Sequence, residues 1–115
     1  MGPEQEWRAA LGDGELRLQR ARRSGRCFFP PRVAEPGTGD REWDWIVASG
    51  EGTVYSVTIV HPRAPAEPYN VVLVDLAEGV RMMGRVVGTE TVKIGMKVRA
   101  RIDREGPEPL LLFEP

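Results

Sequence analysis

The chain is poor in the residues from which most small catalytic centres are built. One residue is cysteine, Cys27, and one is histidine, His61. A lone cysteine excludes an internal disulfide and gives no sign of an oxidising compartment. No apolar run approaches the roughly 20 residues of a membrane helix. The N-terminus lacks the basic-then-apolar order of a secretory signal, so the expectation is a soluble cytoplasmic protein with no membrane partner. Neither sign of charge prevails: 16 basic residues face 17 acidic ones, and no global field gathers nucleic acid or anionic lipid. Lysine is scarce, with Lys93 and Lys97 beside many arginines. With the many Gly, Ala and Pro residues, that bias fits a GC-rich coding sequence.

An apolar share of 41% over 115 residues suits one modest core, with at most a small N-terminal appendage. The most informative stretch runs from Trp43 to Val87. Val54 to Val60 is a β-branched run with one tyrosine, Val71 to Leu76 is almost wholly apolar, and Val80 to Val87 is mixed. A loop carrying Pro62, Pro65 and Pro68 and a turn at Glu78-Gly79 separate them, which predicts consecutive strands.

Three zones follow. Residues 1–14 predict a short helix from Pro3 to Leu11: proline suits a first helical position, Glu4 and Glu6 sit in the first turn, and Gly12 ends it. Trp7, Ala10 and Leu11 form a narrow apolar stripe that must dock on the chain itself or on a partner. In residues 15–41, Leu16 to Ala21 and Arg26 to Phe29 pair across a turn at Ser24-Gly25, and Pro30-Pro31 stop the second strand because neither has an N–H. Residues 42–115 hold about five strands. Lys97 to Asp103 alternates most cleanly, with Val98, Ala100 and Ile102 inward, and Leu110 to Phe113 closes the set. Five short strands of this kind predict a mainly β protein built on an OB-type Greek-key barrel, with a small β-sandwich as the alternative.

The motifs "EWRAALGDGELRLQR", "FPPR" at Phe29 to Arg32, "SGEGTVYSVTIVH" at Ser49 to His61, "PYNVVLVDLAEGVRMMGRVVG" at Pro68 to Gly88 and "IGMKVRARI" at Ile94 to Ile102 resemble a known family. It combines a rubredoxin-like zinc ribbon with an acyl-CoA-associated OB-fold and is catalogued as domain of unknown function thirty-five. The resemblance covers nearly the whole chain. It implies a ribbon with two Cys-x-x-Cys pairs, whose positions fall here at Ala21 and Ser24 and at about Glu35 and Thr38. Alanine, serine and threonine are not usual zinc ligands, and Glu35 alone cannot close a tetrahedral site. The reading is a degenerate ribbon hairpin with no zinc. Structural zinc supplies on the order of 10 kcal/mol in small zinc peptides, so packing of Phe28, Phe29 and the prolines, or a partner, must hold the hairpin instead.

Nothing in the sequence assembles a catalytic site. His61 precedes Pro62 at a strand end and reads as structural or solvent-exposed. Cys27 lies beside Arg26, which favours the thiolate, but with no base in sight it reads as a buried or incidental thiol. Gly50, Gly52, Gly84 and Gly88 do not form a phosphate-binding loop followed by a helix. The basic cluster Arg20, Arg22, Arg23, Arg26 and Arg32 is either a solvated hairpin edge or a site for coenzyme A phosphates, which arginine forks bind well. Tyr55 and Tyr69 are either core residues with a bonded hydroxyl or groove lining. Met82 and Met83 fall on opposite faces of one strand, one for the core and one for an adaptable contact.

The resemblance implies a non-catalytic accessory or scaffold subunit of a thiolase-like or enoyl-CoA hydratase-like enzyme in lipid metabolism. No cofactor is expected; an acyl-CoA is the expected ligand, held by Arg20, Arg22, Arg23, Arg26, Phe28, Phe29 and Tyr55. A second copy of the chain is another candidate partner. The rival is a nucleic-acid-binding OB module, disfavoured by 7% aromatics and a net charge of −1.

Overall fold

Proline at the first helical position and acids in the first turn start α1, Pro3–Gly12; the Gln5 side-chain oxygen accepts the Gly2 N–H at 3.3 Å. Past the helix, Gly14 turns the chain at φ +84°, a conformation that costs glycine little. The computed structural model describes residues 2–115.

Eight strands follow: β1 Arg17–Ala21, β2 Cys27–Phe28, β3 Trp43–Val47, β4 Glu51–Val60, β5 Tyr69–Leu76, β6 Arg81–Gly84, β7 Lys97–Asp103 and β8 Leu110–Glu114. They form two antiparallel sheets, in the order β2-β1-β3 and β6-β5-β4-β7-β8. The hairpin forms as read, with Gln19 opposite Phe28 and Arg20 opposite Cys27. Trp43–Val47 opens the third zone of the sequence but pairs with β1, from Arg17 opposite Val47 to Ala21 opposite Trp43. The five-stranded sheet begins at Glu51.

That sheet curls into an OB-type barrel. Val86 bridges Phe113 in parallel, the Val87 N–H donates to the Phe113 carbonyl at 2.8 Å, and the Phe113 N–H donates to the Arg85 carbonyl at 2.9 Å. Two local features permit the curl. Gly52 has no room for a side chain, since a Cβ there would lie 2.6 Å from Val74 Cγ1. A bulge between Val54 and Ser56 bends β4 and leaves Tyr55 as the extra residue. The mixed segment Val80 to Val87 stops as a strand at Gly84. Beyond it the Asn70 side chain takes over, donating to the Val86 carbonyl at 2.9 Å and accepting the Val86 N–H at 2.8 Å.

One core serves both sheets. Leu11, Leu16 and Leu18 pack in the same buried cluster as Val54, Val72, Val74, Val98 and Phe113. The helix stripe therefore docks on its own chain, where Ala10 and Leu11 are buried and Trp7 meets the Phe29 ring at a centroid distance of 5.5 Å. Met82 faces the core and Met83 the solvent, at 3% and 71% exposure. No helix among the described residues is long and apolar enough to cross a membrane.

Candidate ligand and partner surfaces

The hairpin arginines divide by partner. The turn after β1 carries Arg22 to Asp44 on β3: its Nε and Nη2 donate to the two carboxylate oxygens at 3.0 and 2.8 Å, a bidentate fork. That bond holds the Asp44 carboxyl below the usual range. Arg26 Nε donates to Glu35 Oε2 at 3.2 Å. Arg20, Arg23 and Arg32 form no ion pair among the described residues, although Arg20 stands opposite Asp44 across β1 and β3 and helps hold its carboxyl down. Phe28 is buried beneath the hairpin, and Phe29 is half-buried against Trp7.

Glu35 is the buried carboxylate of this region, at 3% exposure. Ser24 Oγ donates to its Oε2 at 2.6 Å, and Thr38 Oγ1 donates to its Oε1 at 2.7 Å. These bonds, with Arg26 nearby, hold the carboxyl below its ordinary range. Ser24, Glu35 and Thr38 are three of the four positions onto which the resemblance projects zinc ligands; the fourth, Ala21, is a buried methyl. The donor set does not fit zinc. It offers one carboxylate and two hydroxyls whose protons already point at that carboxylate. No group of three or more His, Cys, Asp or Glu among the described residues could hold a metal.

Cys27 lies outside this cluster, half-buried. Burial pushes its thiol above the usual range, Arg20 pulls it back and Glu78 pushes it further up. Arg20, not the adjacent Arg26, is the arginine the thiol feels, and burial outweighs it. The thiolate advantage expected from Arg26 is absent.

Tyr55 and Tyr69 are surface residues, at 51% and 38% exposure, and not core residues. The bulge turns Tyr55 outward under the Arg81 guanidinium, 3.4 Å from its ring centroid. Asp75 fixes Arg81 in turn, accepting from Nε and Nη2 at 2.6 and 3.2 Å. Tyr55 thus sits on the outside of the barrel sheet, whereas Arg26 and Phe28 line a cleft of about 440 Å³ beside Glu35 and Glu78. A larger groove of about 800 Å³ crosses β4, β5 and β7 and is lined by Thr53, Asp75, Lys97 and Arg99 among others. Lys97 Nζ donates to Thr53 Oγ1 there at 3.0 Å.

Comparison with known proteins adds a second line of evidence. The family profile described as the ChsH2 C-terminal OB-fold domain matches residues 45–103. A DUF35 domain-containing scaffold protein of Methanocaldococcus jannaschii is 33% identical over 105 residues, 82% of this chain and 74% of that protein. The chain belongs to the DUF35 family. This DUF35 chain is also 41% identical over 91 residues to the 3-oxo-4,17-pregnadiene-20-carboxyl-CoA hydratase alpha subunit of Mycobacterium tuberculosis. It is 37% identical over 97 residues to a probable enoyl-CoA hydratase alpha subunit of Thermomonospora curvata. The chain spans only 29% and 30% of the lengths of those two subunits. Among solved structures, the Ltp2-ChsH2(DUF35) aldolase superposes with a TM-score of 0.86 at 33% identity, over 98% of this chain and 94% of that one. A DUF35 protein of Sulfolobus solfataricus, at 19% identity and a TM-score of 0.72, shares the fold.

Sequence reasoning on this DUF35 chain missed the groove cations and the amide clamps. Lys97 and Arg99 were legible as outward positions of β7, but nothing local says that β4 and β5 curve beside them. Gln19 is 1% exposed; its Nε2 donates to the Arg32 carbonyl at 2.5 Å and its Oε1 accepts the Arg32 N–H at 2.8 Å. It read as one polar residue in a strand. Alternation puts Gln19 on the face opposite Leu16 and Leu18, which reads as outward, so nothing local signals the Arg32 backbone that meets it.

Proposed function

We propose that this DUF35 chain is a non-catalytic accessory subunit. It assembles with a hydratase-like or thiolase-like acyl-CoA enzyme and helps hold the acyl-CoA without transforming it. The observation that carries this reading is the full-length match, in both sequence and fold, to the ChsH2(DUF35) component of an aldolase assembly. The relatives named as CoA hydratase subunits support the acyl-CoA part. A flexible pantetheine arm loses much conformational freedom on binding, so a second subunit that shapes its channel raises affinity without adding chemistry. Arg20, Arg23 and Arg32, which form no ion pair, are the hairpin groups suited to the phosphates, Arg20 also facing Asp44 across the strand pair. Tyr55 and the exposed Met83 offer rigid and adaptable apolar contact to a partner enzyme.

The test is capture from the host lysate with identification by mass spectrometry, followed by titration of the assembled complex with acyl-CoA. Recovery of a hydratase, thiolase or aldolase of CoA esters is the expected result. A strictly monomeric protein that recovers no such enzyme would overturn the reading, and tight binding of single-stranded oligonucleotides at low salt would favour the nucleic-acid rival instead.

A further inference from the structure

We propose that the Glu35 carboxylate is the closing centre of the hairpin and its following loop, standing where a ribbon would hold a metal ion. This goes beyond the accessory-subunit reading and holds or fails independently of it.

Two tight turns face each other across Glu35. In the first, the Gly25 N–H donates to the Ala21 carbonyl at 2.9 Å; in the second, the Gly39 N–H donates to the Glu35 carbonyl at 2.9 Å. Gly25 and Gly39 both have positive φ, +74° and +72°, as such turns require. Each turn also carries one hydroxyl, and the two hydroxyls work alike. Ser24 Oγ accepts the N–H of Arg26 at 3.2 Å, two residues on, while donating to Glu35 Oε2. Thr38 Oγ1 accepts the N–H of Asp40 at 3.2 Å, again two residues on, while donating to Glu35 Oε1. Each carboxylate oxygen therefore takes one turn, and each hydroxyl relays the hold to its own backbone. The Arg26 guanidinium balances the buried charge.

A buried carboxylate without partners is costly, but one that accepts three charge-assisted bonds is held firmly. The hydroxyl protons are spent on the carboxylate, and one lone pair of each oxygen on a backbone N–H. What is left, one lone pair on each neutral hydroxyl, is a poor match for zinc, and Ala21 offers no donor atom. The cluster is complete as it stands.

The experiment is to unfold the protein in guanidinium with EDTA, refold it without metal, and compare metal content and thermal midpoint with and without added zinc. The expected result is a metal-free protein whose midpoint shifts with neither chelator nor zinc. A stoichiometric metal that survives refolding, or a midpoint lowered by EDTA, would overturn the proposal. Glu35→Ala should lower the midpoint by roughly 5–10 °C and speed amide exchange at Gly25, Arg26, Gly39 and Asp40. Ser24→Ala, a milder change, should lower it less, and less again once Glu35 is already alanine, when only the bond from the Arg26 N–H remains to be lost. An unchanged midpoint and unchanged exchange in Glu35→Ala, or full additivity of the two variants, would equally overturn it.

Discussion

The ring of Phe113 fills the space that a side chain on Gly84 would need. A Cβ built on Gly84 would stand 2.7 Å from Phe113 Cε2 and 2.9 Å from Cδ2. Phe113 is fully buried and its backbone joins the barrel seam, so the ring cannot retreat without moving β8. Gly84→Ala should cost about 1–3 kcal/mol, the range for overpacking a closed core. The check is the denaturant midpoint at unchanged slope.

Asn70 serves the other side of the same seam. Asn70→Ala would strip both hydrogen bonds from the peptide groups of the buried Val86. Each orphaned group costs about 1–3 kcal/mol, so the variant should lose more than Gly84→Ala does. Asn70→Asp keeps the acceptor for the Val86 N–H but sets a carboxylate oxygen against the Val86 carbonyl, so at neutral pH it should lose at least as much as Asn70→Ala. Urea titrations of the three proteins rank them directly.

The fork between Arg22 and Asp44 changes how the acyl-CoA reading is best tested. Reversing Arg22 would set two carboxylates against each other and disturb the β1–β3 pair as well as any ligand. Arg23→Glu with Arg32→Glu avoids this, because neither stands opposite Asp44 as Arg20 does. In the assembled complex the double variant should weaken acyl-CoA binding by about tenfold or more while leaving assembly intact. Unchanged affinity in a calorimetric titration would reduce these arginines to a solvated edge.

Stability should fall in acid and stay level near neutrality. Hydrogen bonds from Ser24 and Thr38 depress the Glu35 carboxyl, and hydrogen bonds from Arg22 and Arg81 depress those of Asp44 and Asp75. For a depressed carboxyl the unfolded chain binds the proton more readily, so its contribution is present above the ordinary range of about pH 4 and is lost as pH falls through the folded value. The urea midpoint should hardly move from pH 7 to 5 and should drop below about pH 4. Asp75→Asn and Glu35→Gln should each flatten that acid limb.

Phe29→Ala removes the ring on which Trp7 rests. Since the helix stripe docks on its own chain, the first effect should be loosening of α1, read as faster exchange of its amides and a red shift of tryptophan emission. Partner binding should weaken only as a consequence.

Much of this was legible in the chain, because period-two alternation survives wherever a strand has one buried face. Lys97 to Asp103 appears with its predicted bounds and its inward Val98. Tyr55 was not legible: the bulge inserts one residue and reverses which face follows, and no local residue announces it. The partner of Trp43–Val47 was hidden for a different reason, since alternation identifies a strand but not the strand beside it. At Glu35 the position was visible and its meaning was not. The residue was weighed as a metal ligand short of companions, when its companions were the hydroxyls of Ser24 and Thr38.

The seam at Val86 and Phe113 also bears on how this protein can join others. Where Arg85, Val87 and Phe113 exchange hydrogen bonds, the barrel has consumed its own margins and offers no backbone template to an incoming strand. β3 differs, being paired only on its β1 side, and its two indoles are already tied to the Val33 carbonyl and to Glu6. β2 and the Ser56–Val60 half of β4 are likewise paired on one side only, so these stretches and Trp43–Val47 are where a neighbour can extend a sheet. One that approaches the barrel seam must engage side chains instead.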